Sequence, residues 1–376
     1  MIKKILVTGG AGFIGSFIVD KLIENGNDVR ILDNLEPQVH SSWGVPKYLN
    51  PNAEFICGDI RDASVVQKAI EDVEIIFHEA AMVGVGQSMY QIKRYVDVNT
   101  LGTANLLDIL VNKEHDVKKL IVASSMSTYG EGSYLCENCG EVNAKLRPIE
   151  QMKNNDWEVY CPNCSKLLKP IPTKETKKQE INSIYALTKK DQEDMVINIG
   201  KVYGIPTVAL RYFNVYGPRQ SLSNPYTGVA AIFMSRIKNN NQPLVFEDGN
   251  QSRDFVFVTD IVEANILAMK SNAANYEVFN VGAGNQVTIK QIAEIIAKLH
   301  KKQILPKITA QFRDGDVRHC FSDITKIRSK LDYNPKVNFE EGMRLLSEWS
   351  ANVKAIDKVE QATEELQEKG LLWKKE

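Results

Sequence analysis

The length and charge of the chain restrict the classes of protein to which it can belong. Its 376 residues are enough for one large domain or two smaller ones with a sizeable hydrophobic core. The 46 basic and 47 acidic residues nearly cancel, so no electrostatic pattern indicates nucleic acid or an acidic membrane as a partner. No uninterrupted apolar run reaches the roughly 18 residues of a membrane span, and no signal peptide precedes the first predicted strand. We therefore expect a soluble, cytoplasmic protein that binds neither nucleic acid nor membranes.

Residues 5–33 combine a short apolar strand, a glycine-rich turn, an amphipathic helix and a second strand. Gly9, Gly12 and Gly15 follow the first strand at GxxGxxG spacing. Glycines so placed let backbone N–H groups approach a pyrophosphate at the helix N-terminus. Asp33 ends the second strand, where a carboxylate can accept both hydroxyls of an adenosine ribose and repel a 2′-phosphate. The stretch predicts an NAD site, whereas the glycines alone could also form a tight turn without a ligand.

Strands and helices alternate through most of the chain, which predicts a parallel, doubly wound α/β sheet. Further strands are predicted at 54–57, 75–77, 120–122 and 207–210. Helices are predicted at 63–71, 90–111 and 183–200, and then near 228–238, 260–270, 288–300 and 340–350. We expect an NAD-binding domain over 1–215 and a smaller substrate domain over 216–350, part of which returns to the large sheet. Residues 132–172 interrupt the first domain as an insert.

The C-terminal tail, residues 351–376, carries many charges and a sparse apolar stripe. This pattern predicts a terminal helix that packs on the surface of the protein. A partner-binding helix is the alternative.

Tyr185 and Lys189 are four residues apart in a predicted helix and so share one helix face. A phenol with a pKa near 10 is a poor base, but a lysine cation and a positive nicotinamide ring both favour its ionised form. Ser124 and Ser125 end a predicted strand where the nicotinamide should lie, and Ser125 can hydrogen-bond the same substrate oxygen as Tyr185. A surface pair is the usual meaning of YxxxK alone. Together these residues predict a catalytic group of Ser125, Tyr185 and Lys189.

These features, with further motifs in the same order, resemble the extended short-chain dehydrogenase/reductases of the nucleotide-sugar epimerase/dehydratase group. The motifs are TGGAGFIG, FHEAA, VNTLGTANLL, ASSMSTYG, YALTK, RYFNVYGPRQ, RDFVFVTD and RDGDVRHC. The resemblance implies a Rossmann fold, a nucleotide-diphosphate sugar as substrate, and a homodimer formed by helices 90–111 and 183–200. It implies cofactor contacts from Gly9, Gly12, Phe13, Ile14, Gly15, Asp33, Asn34, Asp59, Ile60, Ala80, Ala81, Asn99, Ser124, Tyr185, Lys189 and Tyr212. It implies substrate contacts from Ser125, Ser127, Asn214, Arg219, Asn224, Arg253, Arg313, Asp316 and Cys320.

The arginines also have a physical reason to bind substrate, because a guanidinium fork binds diphosphate oxygens bidentately. Ion pairs of Arg253 with Asp254 or of Arg313 with Asp314 are the alternative. Glu79 departs from the apolar residue usual in FHxAA and receives no role. His78, which precedes it at a strand end, is expected to pack or hydrogen-bond there.

Related 4,6-dehydratases carry an Asp-Glu pair directly after the catalytic hydroxyl residue. This chain has Met126 and Ser127 there, and neither is a general acid at neutral pH, which favours 4-epimerisation over dehydration. The position of the insert resembles that in bacterial dTDP-L-rhamnose 4-epimerases. The alternatives are a UDP-glucose or UDP-N-acetylglucosamine 4-epimerase, because the small Cys320 would leave room for a larger hexose, and a non-catalytic NAD-binding sensor. The presence of all three catalytic residues argues against the sensor.

Cys136, Cys139, Cys161 and Cys164 form two CxxC pairs within the insert. Four thiolates at this spacing suit a structural, tetrahedral zinc ion of the zinc-ribbon type. The insert is close to the roughly 40-residue limit below which a segment seldom folds without a metal or another cross-link. Two disulfides or free thiols remain alternatives. Because the insert lies between Tyr129 and Tyr185 in the chain, we expect it beside the mouth of the active site, where it could also bind a partner enzyme.

Overall fold

The computed structural model describes residues 3–40 and 44–373, and its centre is a parallel sheet of seven strands. The strands in chain order are β1 (Lys4–Thr8), β2 (Asp28–Asp33), β3 (Glu54–Cys57), β4 (Ile75–His78), β5 (Lys119–Ser125), β6 (Ser133–Cys136), β7 (Gly140–Val142), β8 (Lys169–Ile171), β9 (Thr207–Tyr212), β10 (Asn214–Tyr216), β11 (Leu244–Val245), β12 (Ser252–Arg253), β13 (Phe255–Phe257), β14 (Glu277–Val281), β15 (Val287–Thr288), β16 (Lys307–Ile308), β17 (Phe312–Arg313), β18 (His319–Cys320) and β19 (Leu372–Trp373).

The helices confirm most of the predicted ones, with ends shifted by a few residues. They are α1 (Phe13–Glu24), α2 (Ala63–Ile70), α3 (Val85–Ser88), α4 (Ile92–Tyr95), α5 (Gly102–Asn112), α6 (Ile149–Lys153), α7 (Ile184–Tyr203), α8 (Val229–Lys238), α9 (Val258–Lys270), α10 (Ile289–Leu299), α11 (Thr325–Leu331), α12 (Phe339–Ala351) and α13 (Val359–Glu368). Within the described ranges, no helix combines the length and the apolar character needed to cross a membrane.

The large sheet has the order β14-β9-β5-β4-β1-β2-β3, and its paired strands run parallel. Side chains of β1 alternate between its two faces: Ile5 and Val7 pack in the cluster that contains α1 and α9, and Leu6 packs in the cluster that contains α2, α5 and α7. The strand order reverses between β1 and β4, and a crevice forms there at the carboxyl ends of the strands. The predicted doubly wound Rossmann sheet is confirmed.

The helix predicted over 90–111 is interrupted. A π-helical segment, Val96–Leu101, joins α4 to α5 and contains Asn99. The Asn99 side chain binds both the N–H and the C=O of Met82, at 2.7 and 3.1 Å, and its own carbonyl accepts a hydrogen bond from Thr103 Oγ1 at 2.6 Å. These bonds accompany the change from α- to π-helical pairing. Hydrophobic periodicity carries no information about such bonds, so it predicted one continuous helix.

The chain after β10 builds a smaller α/β unit around a second apolar cluster. Side chains of α8, α10 and α12 pack there against Tyr216, Phe255 and Phe257, whose rings meet edge to face. β14 leaves this unit and pairs with β9, so this part of the chain returns to the large sheet.

The insert and the tail each add a small structure of their own. The insert forms an antiparallel sheet in the order β7-β6-β8. The tail forms α13 and then β19, which pairs antiparallel with β17. Ala362 and Leu366 of α13 are buried, so the apolar stripe of the tail packs against the protein as expected.

Candidate active site

A cavity of about 650 Å³ lies at the carboxyl edge of the large sheet, between the sheet and the smaller unit. It brings together most of the residues for which the sequence predicted a role. The predicted cofactor residues that line it are Gly9, Gly12, Phe13, Ile14, Gly15, Asp33, Asn34, Ile60, Ala80, Ala81, Ser124, Tyr185, Lys189 and Tyr212. The predicted substrate residues that line it are Ser125, Ser127, Asn214, Asn224, Arg253, Arg313 and Asp316.

Asp33 fixes the glycine turn from the end of β2. Its carboxylate accepts hydrogen bonds from the backbone N–H of Ala11 at 3.0 Å and of Leu35 at 2.8 Å. Burial raises the pKa of Asp33, and these two backbone bonds oppose that rise. A carboxylate has about four lone-pair sites, so Asp33 keeps capacity for the two hydroxyls of a ribose.

Tyr185 lies in the first turn of α7 and lines the cavity, as does Ser125 at the end of β5. A Ser125 hydrogen bond lowers the pKa of Tyr185, but burial outweighs it and the pKa lies above its usual value. The Lys189 ammonium donates to Gln192 Oε1 at 2.8 Å. The lowering of the Tyr185 pKa by Lys189 and a nicotinamide ring stays a prediction.

Helices α3 and α4 also support Tyr185. Ser88 Oγ accepts a hydrogen bond from the backbone N–H of Tyr185 at 3.0 Å. The Tyr185 ring meets Tyr95 edge to face, with ring centroids 6.4 Å apart. The start of α7 is thus held by these two helices.

The arginines of the smaller unit do not form the ion pairs considered as alternatives. Arg313 makes a bidentate pair with Asp316, at 3.1 and 3.0 Å. Arg253 donates to the backbone carbonyls of Val317 at 2.5 Å and Arg318 at 3.2 Å. Both side chains are therefore bonded to the 316–318 stretch, and both line the cavity.

Four predicted site residues lie outside the cavity lining. Asn99 is fully buried behind the wall that Met82 forms, and its amide also donates to Thr188. Asp59 is paired with Arg61 at 2.7 Å, and hydrogen bonds from Arg61 hold the pKa of Asp59 down to about 2. Asn34 also donates to that carboxylate, at 3.0 Å.

The other two face the protein interior or α1. Arg219 pairs with Asp20 at 2.7 Å and lies 4.2 Å above the Phe17 ring. Cys320 packs with Met126 and Tyr129 in a small buried cluster behind the cavity lining. That Cys320 adjusts the space for the sugar stays a prediction.

Several residues that line the cavity received no role from the sequence. Among them are Glu79 and, from the tail, Val359, Ala362, Thr363 and Leu366. The apolar stripe of the tail was visible in the sequence, but no pattern told which surface it would meet. The neighbour of Glu79, His78, binds Thr8 and Thr103 at 2.8 Å each, which is the packing role expected for it.

Glu79 is a half-buried carboxyl that lines the cavity, as Lys189 does. It accepts a hydrogen bond from Tyr212 Oη at 2.9 Å, and Asn265 donates to that same hydroxyl at 2.7 Å. Burial raises the pKa of Glu79 to about 7, although Tyr212 and Lys189 oppose the rise. Burial also lowers the pKa of Lys189 to about 8.

The insert brings its four cysteines together at one end of its small sheet. The Sγ atoms of Cys136, Cys139, Cys161 and Cys164 lie within 4.8 Å of one another. A tetrahedral site with Zn–S bonds of about 2.3 Å needs sulfur atoms about 3.8 Å apart. Cys136 and Cys164 are separated by 3.5 Å, so the donor set fits a tetrahedral ion.

Buried ion pairs join the insert to the segment that carries Arg313. Arg147 of the insert binds both oxygens of Glu247 at 2.8 Å and donates to the Asp316 carbonyl at 3.0 Å. Arg318, which is fully buried, binds Glu158 of the insert at 2.6 Å. The insert is therefore bonded directly to the part of the cavity wall that contains Arg313 and Asp316.

Comparison with known proteins identifies the family. The model of the NAD dependent epimerase/dehydratase family matches residues 5–152, and that of GDP-mannose 4,6 dehydratase matches residues 167–346. A dTDP-L-rhamnose 4-epimerase of Burkholderia thailandensis is 34% identical over 93% of this chain and 95% of its own length. The chain belongs to the NAD-dependent epimerase/dehydratase family.

Other members of this family are equally similar and carry different sugar names. A putative UDP-glucose 4-epimerase of Methanocaldococcus jannaschii is 36% identical over 93% of this chain and 98% of its own. The structure of a Thermotoga maritima UDP-glucose 4-epimerase with UDP-glucose has a TM-score of 0.75 at 34% identity, over 93% of this chain and 98% of that one. The family and its nucleotide-sugar chemistry are thus shown, and the sugar is not fixed by similarity.

The raised pKa of Glu79 predicts that the stability of the protein depends on pH. The pKa of Glu79 is about 7 in the folded protein, against 4.5 for an ordinary glutamate in an unfolded chain, so the folded protein holds this proton more tightly. The carboxyl therefore lowers the free energy of unfolding as the pH rises from about 4.5 through about 7, by about 3 kcal/mol in total. Glu79→Gln keeps an acceptor for Tyr212 and should remove this slope.

Denaturant unfolding of the ligand-free protein at about pH 5 and about pH 8 measures the slope. Glu360→Gln, at an exposed position, is the control and should keep the slope of the wild type. Equal slopes for Glu79→Gln and wild type would contradict the prediction.

Proposed function

We propose that this chain is an NAD-dependent nucleotide-sugar 4-epimerase. The observation that carries the proposal is the meeting of Ser125 and Tyr185 at one point of a cavity that also contains the glycine turn, Asp33 and Arg313. A general base, a hydroxyl that orients the reacting oxygen, a dinucleotide turn and a diphosphate-binding arginine are the parts that this reaction needs.

In the proposed mechanism, Arg253 and Arg313 hold the diphosphate and direct the sugar toward α7. Ser125 hydrogen-bonds the C4 oxygen, and Tyr185 takes the proton of that hydroxyl. The bound dinucleotide supplies a reversible hydride acceptor for C4. The 4-keto sugar then presents its other face, and Tyr185 returns the proton to the same oxygen after reduction.

Lys189 and Asp33 would hold the dinucleotide on this side of the cavity. Asp33 offers acceptors to the adenosine ribose, and Lys189 is a buried cation close to Tyr185 along α7. A positive charge in a cavity of low polarity favours the phenolate form of a nearby tyrosine. Because the cycle restores its own cofactor, the chain should retain NAD(H) on purification.

Epimerisation is favoured over dehydration by the two residues after Ser125. Met126 is buried in an apolar cluster, and Ser127 donates to Ser125 Oγ at 2.9 Å. Neither can protonate a leaving hydroxyl at neutral pH, as 4,6-elimination requires.

We propose dTDP-L-rhamnose and dTDP-6-deoxy-L-talose as the interconverted pair. The similarity to the Burkholderia enzyme over nearly the full length of both chains supports this choice, as does the position of the insert. UDP-glucose or UDP-N-acetylglucosamine is the second candidate, supported by the Methanocaldococcus relative and the Thermotoga structure.

Incubation with a panel of dTDP-, UDP- and GDP-sugars, read by NMR, tests the reaction and the sugar together. The 4-epimer of one panel member should appear with no added cofactor. Denatured protein should release NAD(H). Release of NADP(H) alone, or a 4-keto-6-deoxy sugar as the final product, would contradict the proposal.

Tyr185→Phe should reduce turnover by about 10²- to 10⁴-fold, because it removes the base and keeps the ring that packs on Tyr95. Its retained NAD(H) should equal that of wild type. Tyr203→Phe changes an exposed tyrosine of the same helix and should leave turnover unchanged. Turnover of Tyr185→Phe near that of this control would exclude Tyr185 as the base.

We further propose that the four cysteines of the insert hold one structural zinc ion. Thiolate ligation can contribute on the order of 10 kcal/mol to the folding of a small segment. Four thiolates would fill the tetrahedral positions, so the site would have no position open for catalysis. Four protonated thiols without an ion would gain no comparable stabilisation from lying this close together.

Cys136→Ser should remove the zinc and leave the NAD(H) content intact, because the large sheet has its own core. The KM for the sugar nucleotide should rise more than kcat falls, since Arg147 and Glu158 of the insert hold the segment of Arg313. Elemental analysis and kinetics measure both, with Cys57→Ser as control. Wild-type protein without zinc, with disulfides among the four cysteines by mass spectrometry, would contradict the assignment.

We also propose a homodimer formed through α4, α5 and α7. Large apolar side chains are exposed on α4, on α7 and on the π-helical segment between α4 and α5: Ile92 at 51%, Leu187 at 40% and Leu101 at 55% exposure. Sedimentation should give a dimer at micromolar concentration, and Leu101→Lys should shift it toward monomer. A wild-type monomer under these conditions would contradict the proposal.

A further inference from the structure

The apolar face of the tail helix α13 forms part of the wall of the cavity. Val359, Ala362, Thr363 and Leu366 follow helical spacing, and all four line the cavity. Leu366 packs against α3, the short helix whose Ser88 accepts the Tyr185 N–H. A Cβ built on Gly86 of α3 would lie 3.3 Å from the Leu366 side chain. The tail therefore contributes side chains to the interior of the site.

Both ends of this helix are anchored to the smaller unit. Before the helix, Asp357 forms a buried ion pair with Arg236 at 3.2 Å. After it, β19 pairs with β17, the strand that carries Arg313. Two anchors hold the helix across the cavity, and one of them is the strand at the nucleotide end.

At its centre, the helix joins the two sides of the cavity through a hydrogen-bonded cluster of three side chains. Glu365 accepts from Tyr90 of the dinucleotide-binding side at 2.9 Å, and from Tyr226 of the smaller unit. The two tyrosine hydroxyls are themselves 2.6 Å apart. Hydrogen bonds to a charged acceptor are stronger than those between neutral groups. Glu365 thereby closes the gap between the two walls.

We propose that α13 is a substrate-retaining wall that keeps the sugar nucleotide and its oxidised form inside the cavity. The inference rests on the proposed 4-epimerase activity. In that reaction the ketone must turn over while its nucleotide alone anchors it, and an open side would let it leave. An apolar wall contacts the C–H face of the sugar without fixing one orientation, so it retains the ketone and still permits rotation.

Loss of the ketone has a definite chemical record. At that stage C4 has given a hydride to the nicotinamide and its hydroxyl proton to Tyr185. Each ketone that escapes therefore leaves one reduced nicotinamide in the protein and one free 4-keto sugar nucleotide in solution. A wall that only stabilised the fold would not alter this yield.

The test compares Glu365→Ala with Glu364→Ala, which makes the same change one position away on the exposed face of α13. The dissociation constants of dTDP-L-rhamnose and UDP-glucose are measured by calorimetry, and the yields of reduced nicotinamide and free ketone by absorbance and NMR. Glu365→Ala should weaken binding of the preferred probe about tenfold, the scale of lost hydrogen bonds to a charged group. It should also accumulate reduced nicotinamide, and Glu364→Ala should match wild type in both.

Leu366→Ala leaves the cluster of Glu365 intact and removes only wall surface, so it carries the test if Glu365→Ala does not fold. It should raise the yield of free ketone by several-fold. Equal affinity and equal ketone yield in wild type, Glu365→Ala and Leu366→Ala would overturn the proposal. If wild type binds a probe and forms no epimer, the 4-epimerase proposal fails, and weaker binding by Glu365→Ala would still support α13 as a wall.

Discussion

The close contact between the turn after β1 and the first turn of α1 determines where the cavity can form. A Cβ at Gly15 would lie 2.3 Å from the carbonyl oxygen of Gly9 and 2.8 Å from Gly10 Cα. These are backbone atoms that cannot move aside cheaply, so only glycine lets the helix start this close to the strand. Asp33 then fixes the turn through the Ala11 N–H. The free N–H groups at the start of α1 consequently face the crevice where the strand order reverses.

The second constraint is the set of buried charges between the insert and the smaller unit. Arg147, Arg318 and Glu247 are each about 1% exposed at their side chains, and Arg318 also binds Asp248. Charges removed from water are costly unless each keeps its partner, so removal of one member would leave the others uncompensated. The insert and the segment of Arg313 are therefore coupled in folding, which ties the four-cysteine insert to the part of the cavity that Arg313 lines.

The alternation of apolar strands and helices was sufficient to predict the central sheet, and the glycine turn with Asp33 located the dinucleotide end. Both depend on neighbours within about thirty residues, where chain geometry leaves few choices. The sequence could not predict that Cys320 turns inward or that Asp59 pairs with Arg61. Those outcomes depend on the register of β18 against β12 and on a local ion pair that competes with a ligand. The tail was harder still, because the partners of Glu365 are Tyr90 and Tyr226, which lie far away in the chain.

Two groups of opposite charge, Glu79 and Lys189, determine the electrostatics of the part of the cavity that Tyr185 lines. Burial pushes the pKa of Lys189 down to about 8 and that of Glu79 up to about 7, and the attraction between them opposes both shifts. A cation that enters this cavity stabilises the Glu79 carboxylate and disfavours a proton on Lys189. An anionic group has the opposite effect on both. The Tyr185 phenol, whose pKa is raised by burial, lies in the same environment. The protonation of this part of the cavity is therefore set jointly by Glu79, Lys189 and the charge of the group that occupies the cavity. Glu79 belongs to that balance although no motif identified it.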